Sequence, residues 1–187
     1  MRIVGGTLSG RKIEPPLSLV TRPMMDRVRE ALFNILSHRD WGKHIGDLFE
    51  SDVSVIDAFC GTGALAFEAL SWGAAKATLF DKDAQALTIA RQNASTLGVT
   101  DRCTILAADA TKPPQAPGPC QLVFLAPPYR KNLIHPTFAA LDNAGWIAPH
   151  AVIVAETAKT EKLETLPGCE LVIARHYGEP MLHFMTR

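Results

Sequence analysis

The sequence predicts an α/β fold: a mostly parallel, doubly wound sheet with a C-terminal antiparallel hairpin and a small N-terminal extension made of a β-ribbon and a helix. Three observations carry this. Short, unbroken apolar runs at 53–56, 77–80, 104–107, 122–125 and 152–155 alternate with helical patterns at 64–72, 84–97 and 133–144, and continuous apolar strands belong to parallel sheets covered on both faces. Val55-Ile56-Asp57 runs through Ala58-Phe59-Cys60-Gly61-Thr62-Gly63 into Ala64-Leu65-Ala66, the pattern of a buried strand, a tight turn and a helix start. The runs 171–174 and 181–185, joined through Tyr177-Gly178-Glu179-Pro180, read as a hairpin.

With 187 residues, 47% hydrophobic and 20% charged, the chain is long enough to bury one substantial core. No window approaches the roughly 20 apolar residues of a membrane span. The opening Met1-Arg2-Ile3-Val4-Gly5-Gly6 lacks the apolar stretch of a secretory signal, so a cytoplasmic protein is expected. Cys60, Cys103, Cys120 and Cys169 contain no C-x-x-C pair, which favours reduced, buried thiols. Six scattered histidines show no ligand spacing, so no metal is expected.

The net charge is zero but unevenly placed. Residues 1–43 hold eight Lys or Arg against four Asp or Glu, an excess of +4 that the remainder offsets. Such asymmetry points either to a polyanionic partner or to a solvated face. Division into a basic extension, 1–43, and a main domain, 44–187, follows. Within the extension, Met1 to Val4 and Gly10-Arg11-Lys12-Ile13 suggest a short ribbon ending at Pro15-Pro16, from which Arg2, Arg11 and Lys12 could meet phosphates. Thr21-Arg22-Pro23 starts a helix with Val28, Leu32, Ile35 and Leu36 on one face and Arg22, Arg29 and Glu30 elsewhere.

Ligands of doubly wound sheets bind at the carboxyl ends of the strands, near the point where strand order reverses. Those ends carry Asp57 before the glycine turn, Asp81 after the second run, Asp109 after the third, and Ala126-Pro127-Pro128-Tyr129 after the fourth. Asp81, 20 residues beyond Gly61, stands where a carboxylate holds a ribose diol. Asp109 is then placed for an exocyclic amine such as adenine's. Each acid alone could be a helix cap; three at successive strand ends favour a nucleoside site. Gly61-Thr62-Gly63-Ala64-Leu65-Ala66 also meets the loose dinucleotide pattern. Asp57, however, would repel a pyrophosphate and attract an ammonium, so S-adenosylmethionine is favoured over NAD.

Asp57 through Leu65 with Glu68-Ala69-Leu70-Ser71, Arg2-Ile3-Val4-Gly5-Gly6 with Gly10-Arg11, and Arg22-Pro23 with Arg27 through Asn34 resemble the bacterial family, often called RsmD, that methylates guanine N2 in small-subunit (16S) ribosomal RNA. The similarity spans nearly the whole chain. It implies a Rossmann-like methyltransferase fold, S-adenosylmethionine as donor, and a basic N-terminal extension engaging ribosomal RNA within the small subunit or an assembly intermediate. Carried over by motif, Asp57, Phe59, Gly61, Thr62 and Gly63 bind the donor, with Asp81 on its ribose and Asp109 on its adenine.

The family carries Asp or Asn before Pro-Pro and an aromatic; here the position is Ala126. A side-chain oxygen there would localise the amine's lone pair and position it for in-line attack. Pro127 and Pro128 fix the backbone so that the Ala126 carbonyl faces the amine, and Tyr129 stacks on an extruded base. Three explanations remain: a working variant using the Ala126 carbonyl and a water, a binding homologue with lost catalysis, or a disabling substitution. A small-molecule methyltransferase is the remaining alternative. The expected RNA-facing set is Arg2, Arg11, Lys12, Arg22, Arg29, Arg130 and Lys131, with the alternative that Arg29 pairs with Asp26 on its own helix. Met24 stands where the family commonly has Thr.

Overall fold

The computed structural model describes residues 1–16, 24–41, 48–49 and 52–187. Among the described residues, seven strands form one sheet: β1 (Ser54–Asp57), β2 (Lys76–Asp81), β3 (Cys103–Ala107), β4 (Cys120–Leu125), β5 (Ile147–Ala158), β6 (Glu170–His176) and β7 (Pro180–Thr186). Their order is β3-β2-β1-β4-β5-β7-β6. The first five strands pair in parallel, and β7 runs antiparallel between β5 and β6. The order reverses between β1 and β4, so the carboxyl ends of those two strands frame the crevice where such sheets take ligands.

The α-helices of the described residues cover the sheet: α1 (Asp26–His38), α2 (Ala64–Trp72), α3 (Ala84–Leu97) and α4 (Ile134–Asn143). Alternation along each strand divides the core in two. Val55, Leu79, Leu122, Phe124, Val152 and Val154 pack with α1, α2 and the N-terminal segment. Ile56, Phe80, Val123, Leu125, Ile153 and Ala155 pack with α4 and Trp146. Both faces of each central strand are therefore dry, which is why the sequence shows runs rather than alternation. β5 begins at Ile147, earlier than the apolar run, because Pro149 and His150 interrupt the hydrophobic pattern without ending the strand.

The N-terminal segment forms less ribbon than expected: a single antiparallel bridge, Arg2 to Lys12, around a 3-10 turn at Gly6–Leu8. It is also tightly docked. Ile3 and Ile13 are buried in the core that α1 and α2 share. The Val4 N–H donates to Glu68 Oε1 (2.8 Å), the Leu8 N–H to Ser71 Oγ (2.9 Å) and the Glu14 N–H to Asn93 Oδ1 (2.7 Å). The helix expected from Thr21-Arg22-Pro23 begins later, with Met25 as N-cap and Asp26 in the first turn, where an acid complements the helix dipole. Thr21, Arg22 and Pro23 lie outside the described residues.

Candidate active site

On the β1–β3 side, the turn after Asp57 is held by backbone bonds to its neighbours: Cys60 N–H to the Phe80 carbonyl (2.8 Å) and Gly63 N–H to the Cys60 carbonyl (2.7 Å). Gly61, at φ 51°, has no atom within 4 Å of the position a Cβ would take, so its backbone stands open to a ligand. Gly63, at φ 87°, is required for packing: a Cβ there would lie 2.4 Å from the Phe67 ring. Thr62 is buried, its carbonyl accepting from Asn93 Nδ2 (3.1 Å). Phe59 is half-buried against the α4 side of the core.

Asp57 is 1% exposed. Its Oδ1 has no hydrogen-bond partner among the described residues. Burial pushes its pKa to about 7, opposed by a backbone hydrogen bond at Phe59 and reinforced by the Asp81 charge. A buried carboxylate with a bare oxygen beside an open glycine turn fits a cationic ligand group. Asp81 accepts the Gly61 N–H on Oδ2 (2.7 Å) and the Asp83 N–H on Oδ1 (2.9 Å). It braces the turn while each oxygen keeps a lone pair. Asp109 accepts from the Thr111 hydroxyl (2.7 Å) and N–H (2.9 Å) and pairs with Lys82 Nζ (2.9 Å). The Thr111 hydroxyl leads in holding its carboxyl down at about 2; here Asp109 ties its own turn.

On the β4–β5 side, Pro127, Pro128 and Tyr129 line a cleft of about 400 Å³ with Glu156, Asn132 and Leu133. The Tyr129 hydroxyl donates to Glu156 Oε1, which fixes the ring at the mouth. Burial, followed by that bond and the nearby carboxylates, raises the phenol's pKa far above its ordinary value. Glu161 closes the far wall, accepting the Arg130 N–H (2.6 Å) and the Ala158 N–H (2.8 Å). The Arg130 side chain is 69% exposed, 3.7 Å from Glu179, and Lys131 is exposed. Ala126 is half-buried against the α1–α2 side of the core.

One expected RNA-facing residue is corrected, and a second has a structural bond besides. Arg29 is 0% exposed. It meets Glu68 at 3.0 Å and Asp26 at 2.9 Å, and also donates to the carbonyls of Met24 (2.9 Å) and Arg2 (2.5 Å). With four of its five N–H donors taken and its surface dry, it staples α1 and the N-terminal segment to α2. It lies on the inner face of α1, not away from it as the apolar spacing suggested. Arg11 is exposed, but its guanidinium donates to the Leu97 carbonyl (2.7 Å) and to that of Thr96, capping the carbonyl end of α3. Arg2 is 70% exposed, with only a 3.9 Å approach to Asp26, and Lys12 is exposed. Arg22 lies outside the described residues.

Sequence reasoning missed Glu156. It directly follows an apolar run, as Asp57 and Asp81 do, but β5 continues past it to Ala158, and the run itself ends at Ala155. Lys82, the partner of Asp109, was missed too, because a lone surface lysine carries no pattern.

The strand order, the antiparallel hairpin and the glycine turn at the switch point define a Rossmann-like methyltransferase. The family model described as conserved hypothetical protein 95 matches residues 1–186, and the chain belongs to that family, the one the sequence motifs resemble. Ribosomal RNA small subunit methyltransferase D of Escherichia coli is 35% identical over 168 residues, 90% of this chain and 80% of the relative. The protein of the same name from Haemophilus influenzae is 33% identical over 169 residues, 88% and 82% of the two chains. A solved structure from Escherichia coli, provisionally named a methyltransferase, superimposes with a TM-score of 0.83 at 33% identity, covering 100% of this chain and 97% of the other.

Proposed function

We propose that this protein transfers a methyl group from S-adenosylmethionine to the exocyclic N2 amine of a guanine in small-subunit (16S) ribosomal RNA. The observation that carries the reading is Asp57, a buried carboxylate with one bare oxygen beside the open backbone of Gly61. That pair suits the ammonium and chain of an amino-acid moiety and does not suit a pyrophosphate. The names of the relatives support the ribosomal substrate.

Bound in this cradle, S-adenosylmethionine supplies an electrophilic methyl group. Asp57 holds the ammonium, and Phe59, Gly61, Thr62 and Gly63 form the turn around it. Asp81 accepts the ribose hydroxyls on its remaining lone pairs. Asp109 meets the adenine edge once Lys82 yields, an exposed pair that is weakly held. Across the switch point, the Ala126 carbonyl and the rigid Pro127-Pro128 step orient the amine, and Tyr129 stacks on the extruded base. Arg2, Lys12, Arg130 and Lys131 meet phosphates near the mouth, and residues 1–43 serve as the RNA-facing extension. Labelled S-adenosylmethionine incubated with small subunits lacking the modification tests this. Transfer to guanine N2 is expected; donor binding without transfer overturns it.

A further inference from the structure

The strand register sets a carboxylate beside Ala126. β4 and β5 pair in parallel with Leu122 opposite Val152 and Leu125 opposite Ala155, so the next step puts Ala126 opposite Glu156. Neighbouring strands lie about 4.8 Å apart, and residues at the same level point to the same face. The parity is borne out by packing: Phe124 and Val154, two residues before each, sit in the core shared by α1 and α2, and Ala126 packs against that same core. Asp57 is level with Phe124 on β1. Asp57, Ala126 and Glu156 thus share one face across three adjacent strands at the crevice.

Glu156 is also poised to receive something. It lines the cleft with Pro127, Pro128 and Tyr129. Tyr129 engages only its Oε1, and the second carboxylate oxygen has no partner among the described residues. A carboxylate is the side chain that best accepts two N–H bonds from one edge of a planar base. We infer that Glu156 accepts the N–H of the target base's exocyclic amine, supplying from β5 the side-chain oxygen that Ala126 lacks on β4. This rests on the amine-methylation reading above.

The chemistry balances without a further reactant. The amine lone pair forms the new N–C bond to the donor's methyl group as the C–S bond breaks, its electron pair staying on sulfur. The sulfonium becomes a thioether. The proton released from nitrogen passes to Glu156 and on to solvent. Burial raises the Glu156 pKa against the lowering effect of the Tyr129 bond, making the carboxylate a stronger acceptor. Tyr129 then has two tasks: it stacks, and it aims Oε2 by holding Oε1.

The test uses the full chain with S-adenosylhomocysteine bound and compares guanosine with inosine, which lacks the exocyclic amine. Wild type is expected to bind guanosine about tenfold better, the scale of one hydrogen bond to a charged group. Glu156→Ala is expected to lose that preference, keep S-adenosylhomocysteine affinity within about twofold, and lower kcat on small subunits about 10²-fold or more with little change in KM. Adding Ala126→Asp to Glu156→Ala is expected to recover at least about tenfold of the loss, since it returns an oxygen to the neighbouring strand. Tyr129→Phe, which leaves the carboxylate, is expected to cost less than Glu156→Ala. A retained guanosine preference in Glu156→Ala overturns the inference, as does equal damage from Tyr129→Phe with no recovery by Ala126→Asp. Wild type that transfers no methyl group fails the proposed function instead. The nucleoside comparison then still decides Glu156, because equal binding of guanosine and inosine by wild type overturns it.

Discussion

Asp57 and Glu68 are buried carboxylates 11 positions apart, on either side of one glycine turn; each keeps one oxygen without a partner among the described residues, and they differ in counter-charge. Glu68 Oε1 takes the Val4 N–H and the Arg29 Nε of a fully buried guanidinium. Burial raises its pKa while the Val4 bond and Arg29 oppose the rise. Asp57 meets no cation among the described residues, and burial dominates it unopposed by any positive charge. A buried acid matched within the chain is architecture; one left unmatched at a strand end is a place where a ligand's charge completes the structure.

Breaking the matched pair carries the largest expected effect. Arg29→Met leaves Glu68 buried without its counter-charge and is expected to destabilise by about 3–5 kcal/mol, read by urea unfolding. A loss below about 1 kcal/mol there would mean the pair is a marginal contact. Gly63→Ala follows, with a Cβ 2.4 Å from the Phe67 ring at φ 87°. We expect about 3 kcal/mol of destabilisation, whereas Gly61→Ala, facing open space, costs about 1 kcal/mol but blocks the donor.

Asp57 sharpens the other side. Its folded pKa, about 7, stands above the ordinary 3.8, so the folded chain holds it protonated where the unfolded chain has ionised it. Unliganded stability is therefore fullest below pH about 4 for this group and declines as pH rises to about 7, by about 4 kcal/mol. Asp57→Asn is expected to remove that slope in urea titrations at pH 5 and 8. A bound ammonium needs the ionised form, so S-adenosylhomocysteine affinity should fall up to tenfold per pH unit below 7 in wild type and stay flat in Asp57→Asn. Parallel calorimetric pH profiles of the two proteins would refute the ion-pair assignment. The smallest effect is expected at the surface. Arg2→Ala with Lys12→Ala should lower the slope of log affinity for ribosomal RNA against log salt by about two, and an unchanged slope would remove these residues from the interface.

Much of this was legible along the chain because it is local. Apolar runs between helical patterns marked β1 to β5 and α2 to α4, most plainly at β1 and β4, where both faces are dry. Asp57, Asp81 and Asp109 could be collected at one edge because parallel strands all end there. Arg29 could not be judged. Its helical position is polar by type, and only the docking of residues 1–16 onto α2 closes the surface over it. The capping bonds of Arg11 to α3 were equally invisible, the partner carbonyls lying 85 and 86 positions away.

The sequence by itself determined the fold class, the glycine turn and the acid that precedes it, because each depends on neighbours within a few residues or on a period. Tertiary structure alone decided which charges are spent inside the molecule and which face a ligand, because that depends on what covers each side chain. It buried Arg29 against Glu68, left Asp57 with a bare oxygen, and, through the pairing of β4 with β5, set Glu156 beside Ala126.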